Sequence, residues 1–225
     1  EEATAYELGI KSTMQDGRLR TNVAVFRSEF DDLQVSTFDG ALSFVVGNAA
    51  AAVSQGVELD AAWQATPALR FDLVAAYLDS TYDDYRNASC WFGQTAAQGC
   101  VGGVQDLSGE PTQFAPEWSG SVGASYEVPL GALRLRAAVD VNATSRYFIP
   151  SDNDPNVVQG GFAKVNARLA VASGDDRWEI AVIGRNLTDR LTTHWGNDLP
   201  LFNGSYFRFV DRPRSFVVQG TWRFD

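Results

Sequence analysis

The chain has 225 residues and carries 18 Lys and Arg against 28 Asp and Glu, a net charge of −10 with a single His. So acidic a chain lacks the basic patches that nucleic-acid phosphates require, which excludes nucleic acid as a partner. A content of 45% hydrophobic and 20% charged residues belongs to a folded rather than a disordered chain, and no apolar run reaches the roughly 18 residues of a transmembrane helix.

The opening stretch, EEATAYELGIK, lacks the basic and apolar regions of a secretion signal, so a processed chain or an internal or C-terminal piece of a longer one is expected. Period-two alternation starts weakly in AYELGIKST (5–13) and then strengthens. In LRTNVAV (19–25), Leu19, Thr21, Val23 and Val25 oppose Arg20 and Asn22. In VSQGVELDAAW (53–63), Val53, Gln55, Val57, Leu59, Ala61 and Trp63 oppose Glu58 and Asp60. In LRFDLVAAY (69–77) the charged face carries Arg70 and Asp72, and in EWSGSVGASYEV (117–128) it carries Glu117 and Glu127. LRLRAAVDVN (133–142) sets Arg134, Arg136 and Asp140 against Leu133, Leu135, Val139 and Val141. AKVNARLAV (163–171) sets Lys164 and Arg168 against Val165, Leu169 and Val171. RWEIAVIGRN (177–186) sets Glu179 and Arg185 against Trp178, Ile180 and Val182. SFVVQGTWRF (215–224) sets Arg223 against Phe216, Val218, Trp222 and Phe224.

Successive side chains of a strand point to opposite faces, so in the eight stronger windows every charge falls on one face and the other is free of charge. Most of these strands run about 9–12 residues, where a tilted strand needs about 9–11 to cross a bilayer and soluble strands average about 5–6. Short connections at 15–17, 66–68, 129–132 and 173–176 alternate with long ones at 36–52, 79–116, 146–161 and 187–214. In an antiparallel meander this places all tight turns at one end and all long loops at the other, the signature of an outer-membrane barrel. The fold class expected is all-β: an antiparallel up-and-down transmembrane β-barrel, here about nine strands. A soluble β-sandwich also alternates, but it has no need to lengthen its strands or to sort its turns by length. The rings Trp63, Trp118, Tyr126, Trp178 and Trp222 sit near strand ends, where membrane barrels place aromatic girdles.

Six stretches, NVAVFRSEFDDLQV (22–35), NAAAAVSQGVELDAAW (48–63), LSGEPTQFAPEWSGSVGASYE (107–127), FAKVNARLAV (162–171), GRNLTDR (184–190) and RPRSFVVQGTWRF (212–224), resemble the C-terminal half of TonB-dependent outer-membrane receptors, in that family's order. The resemblance implies that residues 1–225 are the C-terminal portion of the barrel, the last nine of 22 strands, with the plug domain and its TonB box absent. It implies location in the bacterial outer membrane, contact with outer-membrane lipid, and coupling to a TonB-type energy-transducing complex through the missing plug. It implies uptake of a scarce bulky nutrient such as a ferric siderophore or other iron complex; an oligosaccharide, a cobalamin-like solute, or a non-transporting structural or adhesion barrel are the alternatives. Family barrels end on an aromatic residue, whereas here Phe224 is followed by Asp225.

No catalytic constellation is present, so no enzyme activity, cofactor or metal site is expected. Cys90 and Cys100 enclose a Gly-containing polar stretch and are expected to form a disulfide. Glu58, Asp60, Arg70, Asp72, Glu117, Glu127, Arg134, Arg136, Asp140, Lys164, Arg168, Glu179, Arg185 and Arg223 are expected to face the lumen and pair there or with the plug. The loop rings Tyr82, Tyr85, Trp91, Phe92, Trp195, Phe202, Tyr206 and Phe207, together with His194, are candidates for ligand contact, since exposed rings beside acids such as Asp83 and Asp84 can stack on a flat or sugar-like ligand. Packing of these rings against one another is the alternative. SDNDPN (151–156) has partial calcium-loop spacing without the Gly and terminal Glu, and reads as a polar turn. The N-x-S/T triplets at Asn87, Asn142, Asn186 and Asn203 read as chance.

Overall fold

Strands of this length carry rows of backbone N–H and C=O groups that must be paired on both edges. In the computed structural model, residues 1–38, 44–199, 202 and 204–224 are described; Asn203 and Asp225 lie outside them. In chain order the strands are β1 (Glu2–Met14), β2 (Leu19–Phe38), β3 (Phe44–Gln64), β4 (Leu69–Asp84), β5 (Ala88–Ser89), β6 (Val104–Gln105), β7 (Trp118–Leu130), β8 (Leu133–Thr144), β9 (Tyr147–Phe148), β10 (Val158–Gln159), β11 (Phe162–Ser173), β12 (Trp178–Arg185), β13 (Thr193–Asp198), β14 (Tyr206–Val210) and β15 (Ser215–Trp222). Nine form one sheet in the order β1-β2-β3-β4-β7-β8-β11-β12-β15, with each neighbouring pair antiparallel. The sheet is an open up-and-down meander with β1 and β15 at its edges. The pairs β5/β6, β9/β10 and β13/β14 stand apart from it in the long connections.

The tight turns fall at 15–18, 65–68, 131–132 and 174–177, all at one end of the sheet. In the first, Gln15, Asp16 and Gly17 all take positive φ (53°, 56° and 86°), a left-handed path that Gly follows without strain and Asp follows at small cost. At the far end the structure departs from the expected loop at 36–52. Strand β2 continues to Phe38 and β3 starts at Phe44, so most of that segment is a paired arm. The physical reason is packing: Val35, Ala50 and Ala52 are buried with Tyr82, Tyr85, Ala88 and Leu107, and Phe30 and Leu33 pack against them. Small alanines fit beneath this cluster, yet they leave no strong alternation to read in the sequence. Strand β4 is likewise longer than its window and ends at Asp84.

The charge-free face is the outer one. Leu169 (55%) and Ile180 (56%) remain exposed on β11 and β12, strands paired on both sides, and Leu8 (72%) and Val218 (75%) continue the same apolar surface on the edge strands β1 and β15, a surface that lipid covers. Rings mark its limits. Near the tight turns Trp63 stacks on Phe71 at 5.8 Å, and Trp178 pairs across strands with Trp222. Near the loops Tyr77 meets Trp118 at 4.8 Å. On β7, Trp118 and Tyr126 are eight positions apart, about 26 Å along the strand and about 20 Å in height at a tilt of ~40°. Directly beyond the upper ring the same outer face turns polar. Arg27 Nη1 donates to Gln55 Oε1 (2.7 Å), Gln55 Nε2 donates to Asp79 Oδ2 (3.0 Å), and Arg27 pairs with Glu29 (2.8 Å). These residues continue the cross-strand rows Val25, Val57 and Tyr77, so the edge of the hydrocarbon layer is written along single strands.

The GRNLTD stretch closes β12. A Cβ on Gly184 would lie 2.7 Å from Leu187 Cδ2, so a side chain there would displace Leu187, which folds back over the strand. Asn186 is buried at positive φ (51°). Its backbone N–H donates to Asn166 Oδ1 (2.9 Å), its Oδ1 accepts from the Arg190 N–H (3.0 Å), and its Nδ2 donates to the Arg190 and Arg212 carbonyls (3.0 and 3.3 Å). Asp189 Oδ1 accepts from the Arg214 N–H (2.9 Å). Two motifs that are 20 residues and more apart are thereby fastened together, which makes their recurrence a matter of folding.

Replacing Val139, in the middle of the outer face, by Arg should cost about 2–4 kcal/mol in reversible unfolding from lipid; no loss would mean that this face does not meet hydrocarbon. Asn186→Ala should cost about 1–3 kcal/mol by orphaning buried backbone groups, measured by the same unfolding experiment.

Candidate functional site

The inner face carries the expected charges, largely in pairs. Arg136 is the hub, with Glu127 at 3.0 Å, Asp176 at 2.7 Å and Glu179 at 2.9 Å. Arg134 joins Asp176 (2.8 Å) and Glu127 (3.3 Å), and Arg168 pairs with Glu179. Arg70 pairs with Asp72 (2.5 Å). Asp60 accepts from Asn22 (3.0 Å), and Asp140 accepts from Asn142 (2.6 Å) and Asn166 (2.7 Å). Arg223 donates to the Asp176 carbonyl (2.5 Å), and Lys164 reaches Asp211 (2.8 Å) near the loops. By strand alternation Glu58, Glu117 and Arg185 lie on this same face. Asp176, in the last tight turn, was not legible as a partner, because a turn carries no face periodicity.

At the loop end a cavity of about 740 Å³ opens between the long connections. Three of them, between β4 and β7, between β8 and β11 and between β12 and β15, supply most of the wall, and Ser36 of β2 adds to it. The first of the three supplies Tyr85, Trp91, Phe92, Gln94 and Gln113, the second Ile149 and Asp152, and the third Trp195, Asn197, Asp198 and Phe207. Cys90 and Cys100 are joined in a disulfide, and both line the cavity beside Trp91 and Phe92. In β13/β14, Trp195 pairs with Phe209 and Asn197 with Phe207, so these rings share one face, with Trp195 at 5.1 Å from Phe207 and 5.7 Å from Phe209. The opposite face packs on the second connection: a Cβ on Gly196 would meet the Phe207 carbonyl oxygen at 2.8 Å and Val157 at 3.3 Å.

Polar side chains lock the three connections together. Gln105 is buried; its Nε2 donates to the Ser89 and Asp152 carbonyls (both 2.8 Å), and its Oε1 accepts from Gln94 (2.9 Å). The Phe92 N–H donates to Asp198 Oδ2 (2.6 Å), and the Thr193 N–H donates to Gln159 Oε1 (2.6 Å). Asn153 Nδ2 donates to the Pro111 carbonyl (2.8 Å). Buried amides bonded at both ends, Gln105 and Gln159, hold a wall in one arrangement.

Of the loop candidates, Tyr85, Trp91, Phe92, Trp195 and Phe207 meet at the cavity. Tyr82 is buried in the loop core and packs on Tyr85 with ring centres 4.9 Å apart. His194 points to Asp211 (Nδ1 to Oδ1, 3.4 Å) away from the cavity lining, Phe202 is exposed in the β13–β14 connection, and Tyr206 lies opposite Asp198 on the other face of the hairpin. Sequence reasoning missed Gln94, Gln113, Asn197 and Asp198 as wall residues. Loops have no periodicity, and nothing in the chain order of these residues shows that they converge.

SDNDPN is a pair of side-chain-capped turns: Asp152 Oδ1 accepts from the Asp154 N–H (3.1 Å) and Asp154 Oδ1 from the Asn156 N–H (2.8 Å). Among the described residues no group of three or more His, Cys, Asp and Glu is placed to hold a metal ion. Burial pushes the Asp152 carboxyl up to about 7, and the negative charges of Asp198 and Asp154 push the same way. Burial raises Asp154 as well; its Oδ2 has no hydrogen-bond partner, a position that favours the uncharged acid.

The chain matches the family described as TonB dependent receptor-like, beta-barrel over residues 1–187 and belongs to it. The barrels of this family lie in the bacterial outer membrane, and this chain is part of one. Solved structures share the fold. The ferric yersiniabactin uptake receptor FyuA from Yersinia pestis is 21% identical with a TM-score of 0.70, covering 97% of this chain and 29% of that one. The siderophore receptor PiuA from Acinetobacter baumannii is 17% identical with a TM-score of 0.69, covering 97% and 28%. The ferric-catecholate import receptor Fiu from E. coli K12 is 18% identical with a TM-score of 0.67, covering 99% and 27%. This chain therefore spans less than a third of the length of each.

The sign of the Asp152 effect gives a test. Its pKa is raised from 3.8 to about 7, so the stability from the protonated acid is complete below about pH 4, declines between there and 7, and is gone above. Hydrogen-exchange protection of 150–160, corrected for intrinsic rates, should fall from pH 5 to pH 8, and Asp152→Asn should flatten that fall. An equal fall in the variant would remove Asp152 as its cause.

Proposed function

We propose that this chain is the C-terminal portion of an outer-membrane TonB-dependent active transporter, the last nine of 22 barrel strands, following a plug domain that couples to a TonB-type energy-transducing complex. Its cargo is a scarce bulky nutrient, a ferric siderophore or other iron complex, captured at the loop end. The observation that carries the reading is the aromatic cavity built from three separate long connections on a barrel of this family. A cavity of about 740 Å³ suits a bulky small molecule. The solved structures similar in fold are named for ferric yersiniabactin uptake and ferric-catecholate import, which favours iron complexes over oligosaccharides or cobalamin-like solutes. Rings on two connections, Trp91 and Phe92 on the first and Trp195 and Phe207 on the third, would close on a flat ligand from two sides.

Deleting the gene in its host should abolish uptake of one radiolabelled ferric chelate under iron limitation, and the full-length gene should restore it. In purified full-length receptor, Trp91→Ala and Trp195→Ala should each weaken binding of that chelate by about tenfold or more, the scale of an aromatic anchor. Unchanged iron uptake together with lost uptake of a sugar or corrinoid would overturn the iron reading.

A further inference from the structure

The cavity wall holds two carboxylates, Asp152 and Asp198, and no Lys, Arg or His. The chain has 18 basic residues, so their absence here reflects placement. Arg134, Arg136 and Arg168 sit in the inner-face network near the tight turns. Arg208 donates to the Asn156 carbonyl (2.5 Å), Arg86 pairs with Asp84 (3.2 Å), and Arg146 lies over the Phe148 ring at 4.9 Å. Residues 39–43, 200–201 and 203 add no basic side chain by sequence. The remaining polar groups on the wall are amides and hydroxyls, among them Gln94, Gln113 and Asn197.

An anionic complex entering here would meet two acids and negative ring faces, with no basic side chain on this wall among the described residues. A neutral complex loses little, and a cationic one gains from the acids and from the faces of Trp91, Phe92 and Trp195. Building on the ferric-complex reading above, we propose that the cavity admits neutral and positively charged complexes and rejects anionic complexes of the same size, with Asp152 as the residue that sets this charge preference. The Asp198 carboxylate is engaged by the Phe92 N–H (2.6 Å) and fixes the wall; Asp152 is tied to Gln105 through its backbone carbonyl, while its carboxylate has the turn contact with the Asp154 N–H. The titratable groups around Asp152 are the acids Asp154 and Asp198 and the phenols Tyr82 and Tyr85; Arg208, whose charge is felt at Asp154, is outside the cavity lining and donates to the Asn156 carbonyl.

The test uses full-length receptor in lipid nanodiscs at about pH 8.5, above the value of about 7 for Asp152 so that its carboxylate is charged, and one linear ferric trihydroxamate in three forms: with a free terminal amine (+1), with that amine acetylated (0), and with it succinylated (−1). Tryptophan quenching reads affinity. The amine form should bind at least about tenfold more tightly than the succinylated form, with the acetylated form between them. Asp152→Asn keeps the turn contact and should narrow the span to a few-fold. Equal or tighter binding of the succinylated form, or an unchanged span in Asp152→Asn, would overturn the charge rule while leaving iron transport standing. Binding of none of the three also overturns it, and the uptake experiment with the deleted gene then shows whether the transport reading falls too.

Discussion

A strand in hydrocarbon has no water to satisfy its peptide groups, and that constraint governs the rest of this structure. Each unmade hydrogen bond costs several kcal/mol there, so every strand must be paired along its whole span. Between neighbours the sheet meets this with antiparallel ladders whose only register shifts among the described residues of the sheet fall in the upper arms of β2/β3 and β3/β4, while β1 and β15 each keep one open edge. The β1/β2 register runs without a slip from Glu2 and Asp31 to Met14 and Leu19. With the backbone satisfied by neighbours, side chains are free to serve two solvents. One row meets lipid and the other meets the lumen.

The two rows are stabilised differently. Outer residues need only to be apolar and of suitable size for lipid. Inner residues must settle their charges with one another. Arg136 does so with acids from three places: Glu127 on the neighbouring strand, Glu179 two strands away, and Asp176 in a turn. Partly exposed pairs of this kind are individually modest, but a shared network fixes geometry where a lone pair would not. The polar row at Arg27, Gln55 and Asp79 shows the same logic on the outer face, because it begins only where hydrocarbon ends.

The loop end obeys neither rule, and there the chain builds a small interior of its own. Tyr82, Tyr85, Val35 and Leu107 form an apolar centre, and Gln105 and Asp198 tie separate connections by single short bonds. A wall assembled from three connections can change its chemistry by point substitutions without disturbing the ladders below. This separation of a fixed scaffold from a variable site is common among folds that serve many ligands.

The sequence by itself determined the barrel class, the strand order, the lipid-facing row, the turn end and the family, because a period of two is a local property that a one-dimensional pattern records in full. Cys90 and Cys100 were legible as a pair from spacing and context. The upper arm of β2 and β3 was not, since alanines such as Ala50 and Ala52 give no contrast between faces and are held there by contacts with Tyr82 and Leu107. Only the tertiary structure decided that Tyr85, Trp91, Phe92, Trp195 and Phe207 share a cavity while Tyr82, His194, Phe202 and Tyr206 stand outside its lining. Only it placed Asp152 and Asp198 on that wall without a cation. Irregular loops converge through long-range contacts such as Phe92 to Asp198, 106 residues apart, and no local pattern encodes a contact of that range.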